Sequence, residues 1–300
     1  MDATARARGI VARSERQQER FEAIVATFRE GYHAGLDAPD QTSLARRLEQ
    51  VDRALRGFAY EGAAMALVAR EALNPWRRPL LAAFLAEHGE RYTYLMHVGA
   101  GWAFGWVPGA RRIFSELDPL LRWLAIDGMG FRDYFFAAPH RRASLAAPAG
   151  GAPYEARAFD QGVGRCLWFV AAAQPEELIC RIGEFAPARR ADLWAGVGLA
   201  MVYAGEPAEA ELQDVQQAAG PHAPALAQGA AFAAKALECG GQLEPRHDTA
   251  CGMPAREAAR VTDEAQAGLS FENSPPAYES WRQKIQKTLA ARTLLPSAPR

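Results

Sequence analysis

Six segments of this 300-residue chain share a Gly-x-Gly or Gly-x-Ala core, centred on Gly62, Gly99, Gly128, Gly162, Gly196 and Gly229. The surrounding strings are "YEGAAMAL", "HVGAGWAF", "IDGMGFRD", "DQGVGRCL", "WAGVGLAM" and "AQGAAFAA". Successive glycines are 37, 29, 34, 34 and 33 residues apart, about the length of one helix pair. The first three also stand 100, 97 and 101 positions ahead of the last three, so the chain reads as two similar halves. A glycine inside a helix costs about 1 kcal/mol relative to alanine, and something must offset that cost. Close approach of two helix backbones does so, and a stack of antiparallel helix pairs offers that contact once per repeat.

The remaining pattern agrees with helices. Ala, Leu, Arg and Glu dominate between breakers such as "LNPWRRP", "VPGA", "AQPEEL" and "FAPARR", and apolar residues recur at helical spacing. No Asn-Gly or Asp-Gly pair separates two alternating runs, so nothing reads as a hairpin. The expected fold is all-α: helix-pair repeats with internal duplication, α-solenoid-like or a pseudo-twofold helical domain. No unit carries the Trp/Leu-Gly/Tyr/Ala/Phe/Pro signature of tetratricopeptide repeats. The expected organisation is an arginine-rich N-terminal arm over 1–20 and a single helical domain over 21–285. That domain holds two similar halves, about 45–140 and 145–240, and a C-terminal helical segment, and a Pro/Ser tail follows over 286–300.

Composition narrows the function classes. With 49% hydrophobic and 23% charged residues the chain buries a sizeable core. Thirty-four basic against thirty-five acidic residues leave a formal charge of −1, which gives no field to gather nucleic acid or an anionic membrane. The longest apolar runs, "AAMALV" and "CLWFVAAA", fall far short of the roughly 18 to 20 residues of a membrane span. The first twenty residues lack the apolar stretch of a secretory signal, so a cytoplasmic protein is expected.

Cys166, Cys180, Cys239 and Cys251 form no CxxC pair and read as free, mostly buried thiols. Cys251 near His247 and Asp248 offers a Cys/His nucleophile or a metal corner only if the fold brings a base to it. No HExxH, GxSxG, P-loop, Rossmann or EF-hand pattern occurs, and "VGAGWAFG" is not GxGxxG. No metal or cofactor is assigned by any of these motifs.

Candidate chemistry therefore rests on the polar residues beside the glycines. Glu61, Asp127, Gln161 and Gln228 each stand immediately before a glycine, while His97 lies two before Gly99. A recurring polar position on apolar helices points to one wall. If the halves close on each other, Glu61, His97, Asp127, Asp160 and Gln161 meet in a central polar cleft and act as acid, base or metal ligands. The alternative is that each merely caps or bonds a neighbouring helix. Trp102, Tyr134 and Trp194 are candidate aromatic walls for an apolar substrate, or simply core. His97 stands out, because its counterpart two before Gly196 is Trp194 and the repeat does not demand an imidazole.

The strings "RGFAYEGAAMAL", "HVGAGWA", "LDPLLRWLAIDGMGFRDYFF", "FDQGVGRCLWFV", "DLWAGVGLA", "LAQGAAFAAKA" and "PAYESWRQKI" carry a resemblance over nearly the whole chain. They resemble the bacterial family named domain of unknown function 1702, which includes the UnbL-like enediyne biosynthesis proteins. The resemblance implies a helical accessory protein of secondary metabolism, in antibiotic biosynthesis, that helps convert a linear polyene from a polyketide synthase into an enediyne or related product. It brings no catalytic residue with it. Joined to the residues above, it suggests Glu61, His97, Asp127 and Asp160 as acid, base or ligand groups. Trp102, Tyr134, Gln161 and Trp194 would then line the substrate. The alternative is a non-catalytic helical-repeat scaffold that holds other biosynthetic proteins.

Overall fold

The computed structural model describes residues 10–74, 79–148, 150–205, 208–271 and 275–293. Their regular structure is helical throughout. In chain order the α-helices are α1 (Glu15–Asp37), α2 (Gln41–Glu49), α3 (Arg56–Leu73), α4 (Leu80–Phe84), α5 (Thr93–Ala103), α6 (Trp123–Phe136) and α7 (Glu155–Val170). There follow α8 (Pro175–Gly183), α9 (Pro187–Tyr203), α10 (Glu209–Ala218), α11 (Ala223–Cys239), α12 (His247–Cys251), α13 (Ala255–Gln266) and α14 (Ala277–Thr293). Local signals explain several boundaries. The Ser14 hydroxyl and the Asp40 carboxylate accept from the backbone N–H of Gln17 and Ser43, capping α1 and α2. The breakers "AQPEEL" and "FAPARR" place Pro175 and Pro187 in the first turns of α8 and α9, where the missing N–H is no loss.

Helices α1, α3, α5, α6, α7, α9 and α11 pack side by side in that order, each against the next. The glycine triplets are the contacts. A methyl group on Gly128 would run into the Val98 carbonyl of α5, and one on Gly130 into the Phe159 carbonyl of α7. Two residues advance roughly 200° round a helix axis, so the two glycines of a triplet face nearly opposite neighbours. Gly162 meets Asp127 of α6 while Gly164 meets Leu193 of α9, and Gly196 meets Gln161 while Gly198 meets Leu226 of α11. In every pair the touched carbonyl lies three residues ahead of the partner helix's own small residue, so each crossing is reciprocal and antiparallel. Backbones this close allow Cα–H···O contacts of about 0.5–1 kcal/mol each, together with the packing that a side chain would prevent.

The array curls, bringing α9 back to α3 and α1 to α7. The Tyr203 ring of α9 packs on Phe58 of α3 at 5.3 Å, and its hydroxyl fills the space left by Gly57. Phe21 of α1 meets Phe169 of α7 at 5.4 Å. The segment expected as an N-terminal arm is partly core: Ile10 is buried, and α1 begins at Glu15 with Gln17 and Gln18 buried. Residues 1–9 lie outside the described residues. At the other end α14 runs on to Thr293, past the expected start of the tail at 286, and residues 294–300 lie outside the described residues. Helix α14 is held by buried Tyr278, Trp281, Arg282 and Ile285.

Candidate functional site

Counting from the first glycine of each triplet, the third residue onward is Met65, Trp102, Phe131, Arg165, Leu199 and Phe232, and all six line one cavity. The residue just before the glycine is one helical turn back on the same face. There Glu61 and Val98 line the cavity, and Asp127, Gln161 and Gln228 lie fully buried. The cavity measures about 570 Å³ and is walled mainly by apolar and aromatic side chains from α1, α3, α5, α6, α7, α9, α11 and α14. Exposed Arg29, His33 and Trp106 stand on its rim.

Two side chains give this apolar space its chemistry. Glu61 Oε1 accepts from the indole Nε1 of Trp102 at 3.0 Å. Burial raises the Glu61 carboxyl to about 7, against the opposing pull of the nearby Arg165 guanidinium. Arg165 donates from Nε to Asp127 Oδ1 at 2.6 Å and lies over the Phe131 ring at 5.0 Å, and its Nη2 has no hydrogen-bond partner. Asp127 also accepts from Gln161 Nε2 at 2.7 Å, and Gln161 in turn donates to the Tyr278 hydroxyl at 3.0 Å. Burial raises the Asp127 carboxyl while Arg165 and Gln161 pull it down. Farther along, fully buried Arg282 donates to Gln228 at 2.9 Å and pairs with Asp192 at 2.8 Å, tying α14 to α9 and α11.

The structure thus brings together Glu61, Trp102, Asp127 and Gln161 and separates the other sequence candidates. His97 and Asp160 stand two before their glycines, roughly 140° round the helix from the cavity-lining position. The His97 ring bonds the Thr93 carbonyl at 2.8 Å, Nε2 has no partner, and burial lowers its basicity. Asp160 takes a two-point ion pair from Arg189, at 2.9 and 2.6 Å. Trp194 shares that outward register and is buried away from the cavity lining. Tyr134 is buried against Phe185 and beneath the Arg142 guanidinium, again outside the lining. The central cleft expected to hold His97 and Asp160 holds Arg165 instead. Its signal was legible: among the six residues three after a glycine, it is the one that carries charge.

The four cysteines are free. Cys251 makes no pair with His247: burial pushes its thiol up to about 12, and the imidazole bonds Glu244. Among the described residues no three His, Cys, Asp or Glu side chains stand together as metal ligands. No described helix is long and apolar enough to cross a membrane.

The raised Glu61 carboxyl sets a pH dependence of stability. A group whose pKa rises on folding stabilises the fold below its unfolded value, here 4.5, and that contribution fades as pH climbs through about 7. Stability should therefore drop by on the order of 2 to 3 kcal/mol between those limits through this group alone. Glu61→Gln removes the proton and the drop with it. Urea unfolding of both proteins across the range measures the difference; parallel curves would refute the burial of an ionisable carboxyl here.

These contacts define a class: an all-α array of helices, locked by glycine contacts, folded around an aromatic cavity with one polar patch. The chain belongs to the family described as Protein of unknown function (DUF1702), whose profile matches residues 1–289. No curated protein and no solved structure matches it.

Proposed function

We propose that this protein is an accessory protein in enediyne or related polyketide biosynthesis, acting on a linear polyene-derived intermediate held in the central cavity. The observation that carries the proposal is the cavity itself. Its volume falls within the roughly 300–1,000 Å³ of small-molecule sites, and aromatic side chains dominate its walls. A long unsaturated chain has no polar groups to satisfy along its length and matches Phe28, Trp102, Phe131, Phe169 and Phe232 by burial and stacking. Trp102 forms part of the wall and orients Glu61. With a carboxyl near neutrality, Glu61 suits proton exchange with the molecule held in the cavity. Asp127 and Gln161 hold Arg165 in place. The biosynthetic setting is supported by the resemblance of the glycine-centred strings to the enediyne-associated proteins.

The experiment is reconstitution with a polyene-forming polyketide synthase, followed by mass spectrometry of the intermediates. Ala200 is buried and lines the cavity, so Ala200→Phe fills the space from within α9. That variant is expected to lose conversion of the polyene while Tm stays close to that of the parent, because the added ring occupies existing void. A scaffold that works through its outer surface would keep its output with the cavity blocked. The large exposed hydrophobics among the described residues are Val11, Leu36, Leu73, Trp106, Ile179 and Phe271, and of these Trp106 belongs to the cavity rim.

A further inference from the structure

The charges around the cavity are unequal. Among the described lining residues Arg29, His33 and Arg165 face one acid, Glu61. Arg29 and His33 sit at the exposed rim, whereas Arg165 is 6% exposed. The Arg165 guanidinium is only half used: Nε serves Asp127, and Nη2 is buried with no partner. An unmet donor on a buried charged group is costly unless a ligand supplies the acceptor. Glu61 has one oxygen, Oε1, engaged by Trp102, and the residue lines the cavity.

We infer that the ligand enters this cavity with a carboxylate head, one oxygen accepting from Arg165 Nη2 and the other from the protonated Glu61 carboxyl, while its apolar chain lies along the aromatic wall. The inference rests on the reading that the cavity holds an unsaturated chain, and adds the chemistry of its head group. Both groups line the same cavity and lie close enough to interact electrostatically, and two donors there suit the two oxygens of a carboxylate better than a hydrocarbon. Arg165 is already balanced by Asp127, so the ligand brings an extra negative charge into a water-poor space. An ionised Glu61 beside it would form a like-charge pair, which such a site disfavours strongly. Above the Glu61 transition, binding therefore carries up to one proton from solvent onto Glu61, and no covalent bond between heavy atoms changes. The groups facing Glu61 are Arg165 on α7, Asp127 on α6, the Tyr203 phenol on α9 and, toward the rim, Arg29 and His33 on α1. Burial has already moved the Glu61 carboxyl to where it holds that proton near neutrality.

The test uses parinaric acid, a straight-chain conjugated polyene acid whose fluorescence rises in apolar surroundings, beside its methyl ester. Titrations of the full chain from about pH 6.5 to about pH 8.5 should show the acid weakening by up to about tenfold per pH unit above the Glu61 transition, with the ester indifferent to pH. Calorimetry in two buffers of different ionisation heat should record uptake of up to one proton per acid bound. Glu61→Gln supplies a permanent amide donor, so it should bind the acid with no pH dependence and more tightly than the parent at high pH. His33→Gln, which removes the imidazole at the cavity rim, should leave the dependence intact. A double variant, Asp127→Leu with Arg165→Met, removes the buried pair together and should bind the ester but lose preference for the acid. Equal affinity for acid and ester without proton uptake would overturn the carboxylate head and leave chain binding standing. Failure of both probes to bind would remove the chain-binding reading and this inference with it.

Discussion

Gly162→Ala is expected to destabilise the protein by about 4 kcal/mol, at the upper end of overpacking effects. The added methyl would overlap the backbone carbonyl of Asp127, which no side-chain rotation can move aside. Relief requires α7 to lift off α6. That movement would also part Gly130 from the Phe159 carbonyl and stretch the Gln161 to Asp127 hydrogen bond. The control is Gly183→Ala at the end of α8, where a methyl meets open space. There the change should be neutral or stabilising by about 0.5–1 kcal/mol, because alanine is the better helix former. Urea unfolding with matched m-values measures both. A Gly162→Ala protein within about 1 kcal/mol of the parent would mean that the helices are not locked through their backbones.

Asp127→Ala is expected to cost about 3–5 kcal/mol, because it strands the buried Arg165 charge and removes the acceptor of Gln161 as well. Both partners are nearly or fully inaccessible, at 6% and 0% exposure, so water does not replace the lost carboxylate. The double variant Asp127→Leu with Arg165→Met removes charge and counter-charge together and should recover most of that loss, since apolar residues of similar size can replace a buried pair. A double-mutant cycle on Asp127 and Arg165 gives the coupling directly. A small penalty for Asp127→Ala alone, or no recovery in the double variant, would show that the pair is not what holds α6 to α7. The two predictions separate the forces at this crossing: the glycines set the distance between the helices, and the ion pair fixes the inner face that they present.

Much of the fold is legible in local features. Pro175 and Pro187 announce α8 and α9, and the spacing of the triplets announces a repeated helix contact. The polar position before the glycines also marks an inner wall, because Glu61, Asp127, Gln161 and Gln228 recur in register on helices that are otherwise apolar. His97 misleads for a physical reason. An imidazole beside glycines and tryptophans attracts notice by its chemistry, but one residue of offset swings a side chain about 100° round its helix. Arg165 escapes notice because basic residues are common on helices and only its register marks it as inward.

The sequence by itself determined that this chain is helical, that small residues recur once per helix pair, and that certain polar residues keep step with them. Helix propensity and capping act over a few residues, so they can be read without the fold. Which two sides of each helix meet neighbours, and therefore which side is left to face a cavity, was decided only by tertiary packing. Closing the array brought Glu61 and Arg165, 104 positions apart, to one wall, put Ile10 into the lining, and slotted α14 against Gln161 and Gln228. Contacts across such distances depend on backbone approach at every crossing between them, and no local stretch of sequence contains that information.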